Sequence, residues 1–162
     1  IYDNPQLNVR LSNYQKKHQP KKIILDTNGR VPSDSKSLDS NCILITSKLD
    51  NKLKNKLHSK GVTIEYIPTG KNKKLDLRYL PEVLIKYNLI NIFVEAGSTL
   101  PGELLYNNLV NKIILFISPK IIGESKFVPF GSKGINKMKN SYKPKKIINS
   151  SIEDDILIKA WL

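Results

Sequence analysis

Apolar residues fall along this chain in short runs and in helical stripes, and the two alternate. Lys22-Ile23-Ile24-Leu25-Asp26-Thr27 is an apolar, β-branched run ending at Asn28-Gly29, which predicts a buried strand. Residues 29–41, with Pro32 and several Ser and Asp, predict a loop. Cys42-Ile43-Leu44-Ile45-Thr46 predicts the next strand. Leu49, Leu53 and Leu57 then recur every fourth residue among Lys and Asn, the pattern of an amphipathic helix closed by Gly61. Val62 to Ile67 predicts a strand stopped by Pro68. Leu77, Leu80, Leu84 and Tyr87 mark a second helix within 76–87. Pro81 suits only a first turn, so that helix is expected to start nearer Leu80.

Ile90 to Glu95 predicts another strand, followed by a Gly-containing turn and a helix near 101–108. Lys112 to Ser118 and Ile156 to Trp161 complete the strands. This alternation predicts one α/β domain with a mostly parallel sheet and helices on both faces. Ligands then collect at the carboxyl ends of the strands, which singles out Thr27, Thr46, Ser47, Pro68-Thr69-Gly70, Glu95-Ala96-Gly97 and Ser118.

Composition narrows this further. A 40% hydrophobic and 25% charged content fits a folded chain, and no apolar run is long enough for a membrane span. The single cysteine, Cys42, is expected to be a small buried residue, so neither an intrachain disulfide nor a bound metal is anticipated. The net charge is +13, but 24 of the 27 basic residues are Lys, spread from Lys16 to Lys159. Nucleic-acid readers favour the planar fork of Arg, so the charge is read as a solvated surface, without a nucleic-acid or membrane partner. His18 and His58 occupy polar or helix-end positions and carry no catalytic signal.

The richest segment is Val94-Glu95-Ala96-Gly97-Ser98-Thr99-Leu100-Pro101-Gly102-Glu103-Leu104-Leu105. A carboxylate ends an apolar strand, and small residues lead into a helix whose first N–H groups suit a phosphate. A capped turn would look similar, and the stretch is neither G-x-G-x-x-G nor a P-loop. Asp26 has an equally plain structural alternative, capping the loop behind its strand.

Four motifs together are more specific. Asp3-Asn4-Pro5-Gln6-Leu7-Asn8-Val9-Arg10 matches D-[DN]-P-x-L-x-x-R, and Gln19-Pro20 through Asp26-Thr27 resembles Q-P-x-R-x-V-[LI]-D-[ST], with Lys22 for its Arg and Ile24 for its Val. The Glu95 segment matches V-E-[GA]-G-x-x-L-x-G-x-L-L. Leu109-Val110-Asn111-Lys112 with Ser118-Pro119-Lys120-Ile121-Ile122-Gly123 matches the fourth. In order and spacing the chain resembles the reductase domain of the bifunctional riboflavin-biosynthesis deaminase–reductase.

The resemblance implies a dihydrofolate-reductase-like three-layer sandwich. It also implies NADPH-dependent reduction of 5-amino-6-(5-phosphoribosylamino)uracil to 5-amino-6-(5-phosphoribitylamino)uracil, and the composition fits a soluble cytoplasmic protein. By the same resemblance Leu7, Arg10 and Glu95 contact the substrate. Asp3, Thr27, Gly97, Ser98, Thr99, Leu100, Pro101, Gly102 and Glu103 contact the cofactor, and no residue is assigned as the catalytic acid. By position alone, Thr27, Thr46, Ser47 and Lys48 lie near the adenosine end. Pro101 and Ala96 stand where Ala and Gly are usual, and both are tolerated.

The family domain normally opens with a strand and helix ahead of the Asp3-Asn4-Pro5 motif, and the deaminase half carries a zinc signature. Neither is recognisable in residues 1–162, read as a single shortened reductase domain. The expected assembly is a homo-oligomer, with a separate deaminase chain as a candidate partner. The alternative is a catalytically incomplete NADP-binding subunit or fragment of the same family.

Overall fold

A computed structural model of the chain describes residues 4–11, 19–121, 123, 128–131, 134–135 and 137–162. It forms two compact units, Ile1–Ile90 and Asn91–Leu162. Among the described residues no helix is long and apolar enough to cross a membrane.

The first unit is built on β1 (Lys22–Leu25), β2 (Cys42–Thr46) and β3 (Thr63–Tyr66), parallel and in the order β1-β2-β3. β2 is central, and all five of its side chains are buried, as its unbroken apolar sequence requires of a strand covered on both faces. Helix α1 (Asn51–Ser59) connects β2 to β3. Asp50 caps it by accepting from Leu53 N at 2.8 Å, and Gly61, at φ 73°, turns the chain out of it. Its Leu57 joins Leu38, Cys42, Leu44 and Val62 in a buried cluster that Leu49, Leu53 and Ile64 border. Burial pushes the Cys42 thiol up to about 12, which makes it an inert packing group.

Lys22 is only 7% exposed, and its ammonium meets Asp39 at 2.5 Å. Burial acts to raise the pKa of Asp39, but the Lys22 bond and the Asn41 N–H outweigh it and hold the carboxyl below its usual range. After β3 a 3-10 turn at Leu77–Tyr79 leads into α2 (Leu80–Lys86), with Pro81 in its first turn as expected. Glu65 on β3 accepts from Lys86 Nζ at 2.7 Å and from the Tyr87 hydroxyl, fastening the end of α2 to the sheet.

The second unit holds α3 (Thr99–Tyr106) and an antiparallel sheet of β4 (Lys112–Ile117), β5 (Lys146–Ile152) and β6 (Asp155–Trp161), ordered β4-β6-β5. The expected mostly parallel sheet therefore describes β1–β3 and not β4–β6. Two residues, Glu153 and Asp154, join β5 to β6, with Glu153 left-handed at φ 52°. So tight a connection can only pair its strands antiparallel. Register aligns Lys112, Trp161 and Lys146, and the two ammoniums lie 4.6 and 5.4 Å from the indole ring. The strand expected at Ile90 to Glu95 does not form: among the described residues, 91–97 pair with no other strand. Ile90 and Phe93 are 89% and 79% exposed.

Two outcomes follow. The depressed pKa of Glu65, set first by Lys86 and then by Tyr87, means that the folded state binds fewer protons there than the unfolded chain. That stability is complete above the unfolded value and disappears as pH falls through the folded one. Glu65→Gln should accordingly lower the urea midpoint at pH 7, and its deficit against the parent should shrink in acid. An equal deficit at both pH values would show that the ion pair does not contribute. Gly29 sits at φ 66°, where a Cβ would lie 2.7 Å from Leu49 Cδ2 and 3.0 Å from Lys48 O. Gly29→Ala should cost about 1–3 kcal/mol in urea unfolding.

Candidate functional site

Parallel strands that start together also end together, so the loops after β1, β2 and β3 gather at one edge of their sheet. Thr27, two residues beyond β1, is where they meet. Its carbonyl accepts from Ser47 Oγ at 2.6 Å and Ser47 N at 3.3 Å, both from the loop after β2. Its hydroxyl accepts from Leu75 N at 3.3 Å, from the loop after β3. That loop is closed by the bridge between Thr69 and Leu75 and by Gly70 N donating to Lys74 O at 2.8 Å. The Thr27 hydroxyl keeps its own proton for donation.

The neighbouring polar groups are already engaged. Asp26 accepts from Val31 N at 2.7 Å and Asn28 N at 3.3 Å, so it caps its own loop. Thr46 is fully buried, and its hydroxyl bonds Lys48 O at 3.0 Å. Both therefore have structural duties. Gly29 and Leu75 were not singled out in the sequence. The Asn28-Gly29 pair marked a turn, whereas nothing local signals that Leu75 N reaches Thr27 from 48 residues away.

The residues of the opening motif expected to contact substrate lie elsewhere in this unit. Gln19 holds Val9 through both of its backbone groups, accepting from N at 2.8 Å and donating to O at 3.4 Å. Gln19 precedes β1 whereas Thr27 follows it, so Leu7 and Arg10 are not brought together with Thr27. Arg10 Nε donates to Asn8 Oδ1 at 3.4 Å, and Leu7 has a left-handed φ of 51°, a strained state for a bulky side chain. Close by is a polar cavity of about 330 Å³, lined chiefly by Gln6, Asn8, Gln19, Lys22, Asp39 and Asn41. Asp3 lies outside the described residues.

In the second unit, Glu95 is exposed at the end of the unpaired stretch. A Cβ placed on Gly97 would meet no atom within 4 Å, which leaves room beside the turn. Ser98 precedes α3 but makes no side-chain cap bond. Pro101 has no N–H and Gly102 N donates to Ser98 O at 3.3 Å, so the donors this turn can offer at the positive end of the helix dipole are Thr99 N and Leu100 N. Thr99, Leu100 and Pro101 form the first turn, followed by buried Gly102 and then Glu103. Gly131 N donates to Ser98 O at 2.9 Å and ties the turn in place. Room beside the turn, two N–H donors and a favourable dipole are what a pyrophosphate needs, so the residues present fit that part of a dinucleotide.

The family model described as the RibD C-terminal domain matches residues 1–153. A riboflavin biosynthesis protein RibD of Aquifex aeolicus is 34% identical over 161 residues, covering 98% of this chain and 42% of its own length. A 5-amino-6-(5-phosphoribosylamino)uracil reductase of Buchnera aphidicola is 35% identical over 135 residues, covering 76% of this chain and 63% of that protein. Among solved structures, RibD of Acinetobacter baumannii superposes with a TM-score of 0.79 at 25% identity, over 99% of this chain and 43% of that one. The chain thus spans about two-fifths of these RibD relatives. The four motifs, the turn before α3 and the family match across nearly the whole chain agree: this chain belongs to the RibD C-terminal domain family.

Proposed function

We propose that this chain carries the reductase function of its family, reducing 5-amino-6-(5-phosphoribosylamino)uracil to its ribitylamino product with NADPH. The observation that carries the reading is the family match over residues 1–153, with the Glu95-Ala96-Gly97 turn opening onto the uncapped end of α3. In the reaction the ribosyl ring opens to an imine. Its C1′ accepts a hydride and its nitrogen a proton, giving the ribitylamine. NADPH, when bound, supplies the hydride.

The chain's residues then bind and orient. The N–H groups at the start of α3 hold the cofactor's pyrophosphate, and Thr27 donates a hydroxyl to its adenosine half. The Arg10 guanidinium pairs with the substrate's 5′-phosphate through a bidentate fork. The Glu95 carboxylate accepts from substrate hydroxyls and fixes C1′ for transfer. The frame in this reading is a dihydrofolate-reductase-like α/β sandwich working in the cytoplasm as a homo-oligomer.

One observation favours a second reading. Ile90, Ile92, Phe93 and Val94 have the sequence of a covered strand, yet all four are exposed. In this reading the chain keeps cofactor affinity but turns over substrate only when a further strand covers that stretch. The strand would come from a longer form of the chain or from a second polypeptide.

Glu95→Gln should abolish turnover of the pyrimidine substrate while leaving NADPH binding intact, as followed by NADPH oxidation and by cofactor titration. Full activity in that variant would make the acid structural and overturn its assignment. Arg10→Lys keeps the charge but loses the fork, and should mainly raise the substrate KM by the equivalent of about 1–3 kcal/mol. A parent chain that binds NADPH and gains turnover only when the strand is supplied would decide for the second reading.

A further inference from the structure

The opening motif is tied to the first unit at two points. Asn4 Oδ1 accepts from Lys36 N at 2.9 Å, and the Gln19 carboxamide takes both backbone groups of Val9, at 2.8 and 3.4 Å. Among the described residues, no other hydrogen bond joins 4–11 to the rest of the unit. The polar cavity is lined from both sides, by Gln6 and Asn8 of the motif and by Lys22, Asp39 and Asn41 at the start of β1 and β2. Walls separated by such a space do not pack on each other, so directional bonds carry the placement of the segment.

Val9 lies between Leu7 and Arg10, the two residues of the motif expected at the substrate. Leu7 is left-handed at φ 51°, a conformation that persists only where its surroundings impose it. Gln19 is able to impose it because it is itself held. Asn41 Nδ2 donates to Gln19 O at 3.3 Å and to Pro20 O at 2.7 Å, and Asn41 N donates to Asp39 Oδ1 at 3.0 Å. The other oxygen of Asp39 takes the buried Lys22 ammonium. A carboxamide offers the acceptor and the donor that one residue's N–H and C=O require, and no other side chain of that length offers both.

We propose that Gln19 is a positioning residue for the reduction: by clamping Val9 it presents the Arg10 guanidinium to the substrate's 5′-phosphate. This rests on the Arg10 assignment in the reading above. Without the clamp Arg10 keeps its charge and its fork, but its backbone has to be ordered at the moment of binding.

The test is calorimetric titration of the full chain with 5-amino-6-(5-phosphoribitylamino)uracil and with its dephosphorylated counterpart. The parent, Gln19→Ala, Arg10→Ala and the double variant are compared. Binding is read rather than turnover, so the result does not depend on whether catalysis needs a further strand. Gln19→Ala should weaken the phosphorylated ligand roughly tenfold and the dephosphorylated one by less than about twofold. Arg10→Ala should do at least as much, and adding Gln19→Ala to it should change little, because residues acting through one contact are not additive. Gln19→Met keeps the length without the polar groups and should show the same contrast, which serves if the alanine variant does not fold. Equal losses for both ligands would make Gln19 a general structural residue and overturn the proposal. So would a Gln19→Ala loss that persists in full on the Arg10→Ala background. If Arg10→Ala weakens the phosphorylated ligand and Gln19→Ala does not, the proposal falls and the Arg10 assignment stands. A parent with no preference for the phosphorylated ligand overturns both.

Discussion

β2 is the strand on which the first unit depends. All five of its side chains are buried, so both edges of its backbone need partners in a setting where an unmade hydrogen bond costs about 1–3 kcal/mol. β1 and β3 satisfy those edges, and both run parallel to β2. The parallel sense has a further consequence: each strand ends at the same edge, and the loops leaving it are forced together. Thr27 lies where they meet, with its carbonyl and its hydroxyl each engaged by a different loop. The edge that family resemblance assigns to the cofactor is therefore also an edge the sheet makes rigid, and preorganised groups lose less on binding.

Charge takes its meaning from where the fold places it. A net charge of +13 held almost entirely by Lys is, over most of the chain, a solvated surface. Lysines acquire distinct roles only at particular contacts. Lys22 is buried against Asp39, Lys86 fastens α2 to β3 through Glu65, and Lys112 and Lys146 flank Trp161. Buried and aromatic-paired ammoniums owe their roles to neighbours far away in sequence, which a charge count does not register.

The stretch from Ile90 to Val94 shows a conflict between local preference and surroundings. Its β-branched and aromatic residues suit a strand covered on both faces. Among the described residues it pairs with no strand, and its large apolar side chains are exposed. Natural sheets seldom leave such an edge bare, because it invites pairing with another chain. The same stretch leads directly into Glu95 and the turn before α3, so whatever covers it also bears on the residues proposed to hold substrate and pyrophosphate.

Sequence alone determined the elements whose pattern is local. β1, β2, β3, β4 and β6, the every-fourth-residue leucines that lead into and run through α1 and the first-turn role of Pro81 were legible, because a periodic apolar face and a proline each act within a few residues. The four motifs likewise carried the family. β5 was not legible: all seven of its residues are exposed, and Asn149-Ser150-Ser151 breaks its apolar pattern, so only pairing with β6 makes it a strand. The antiparallel sense of β4–β6, the absence of a strand at Ile90 to Glu95 and the separation of Arg10 from Thr27 along β1 were decided by tertiary structure. So was the convergence of Ser47 and Leu75 on Thr27. Each depends on which distant segment supplies a partner for a backbone or hydroxyl group, and hydrophobic periodicity carries no record of that choice.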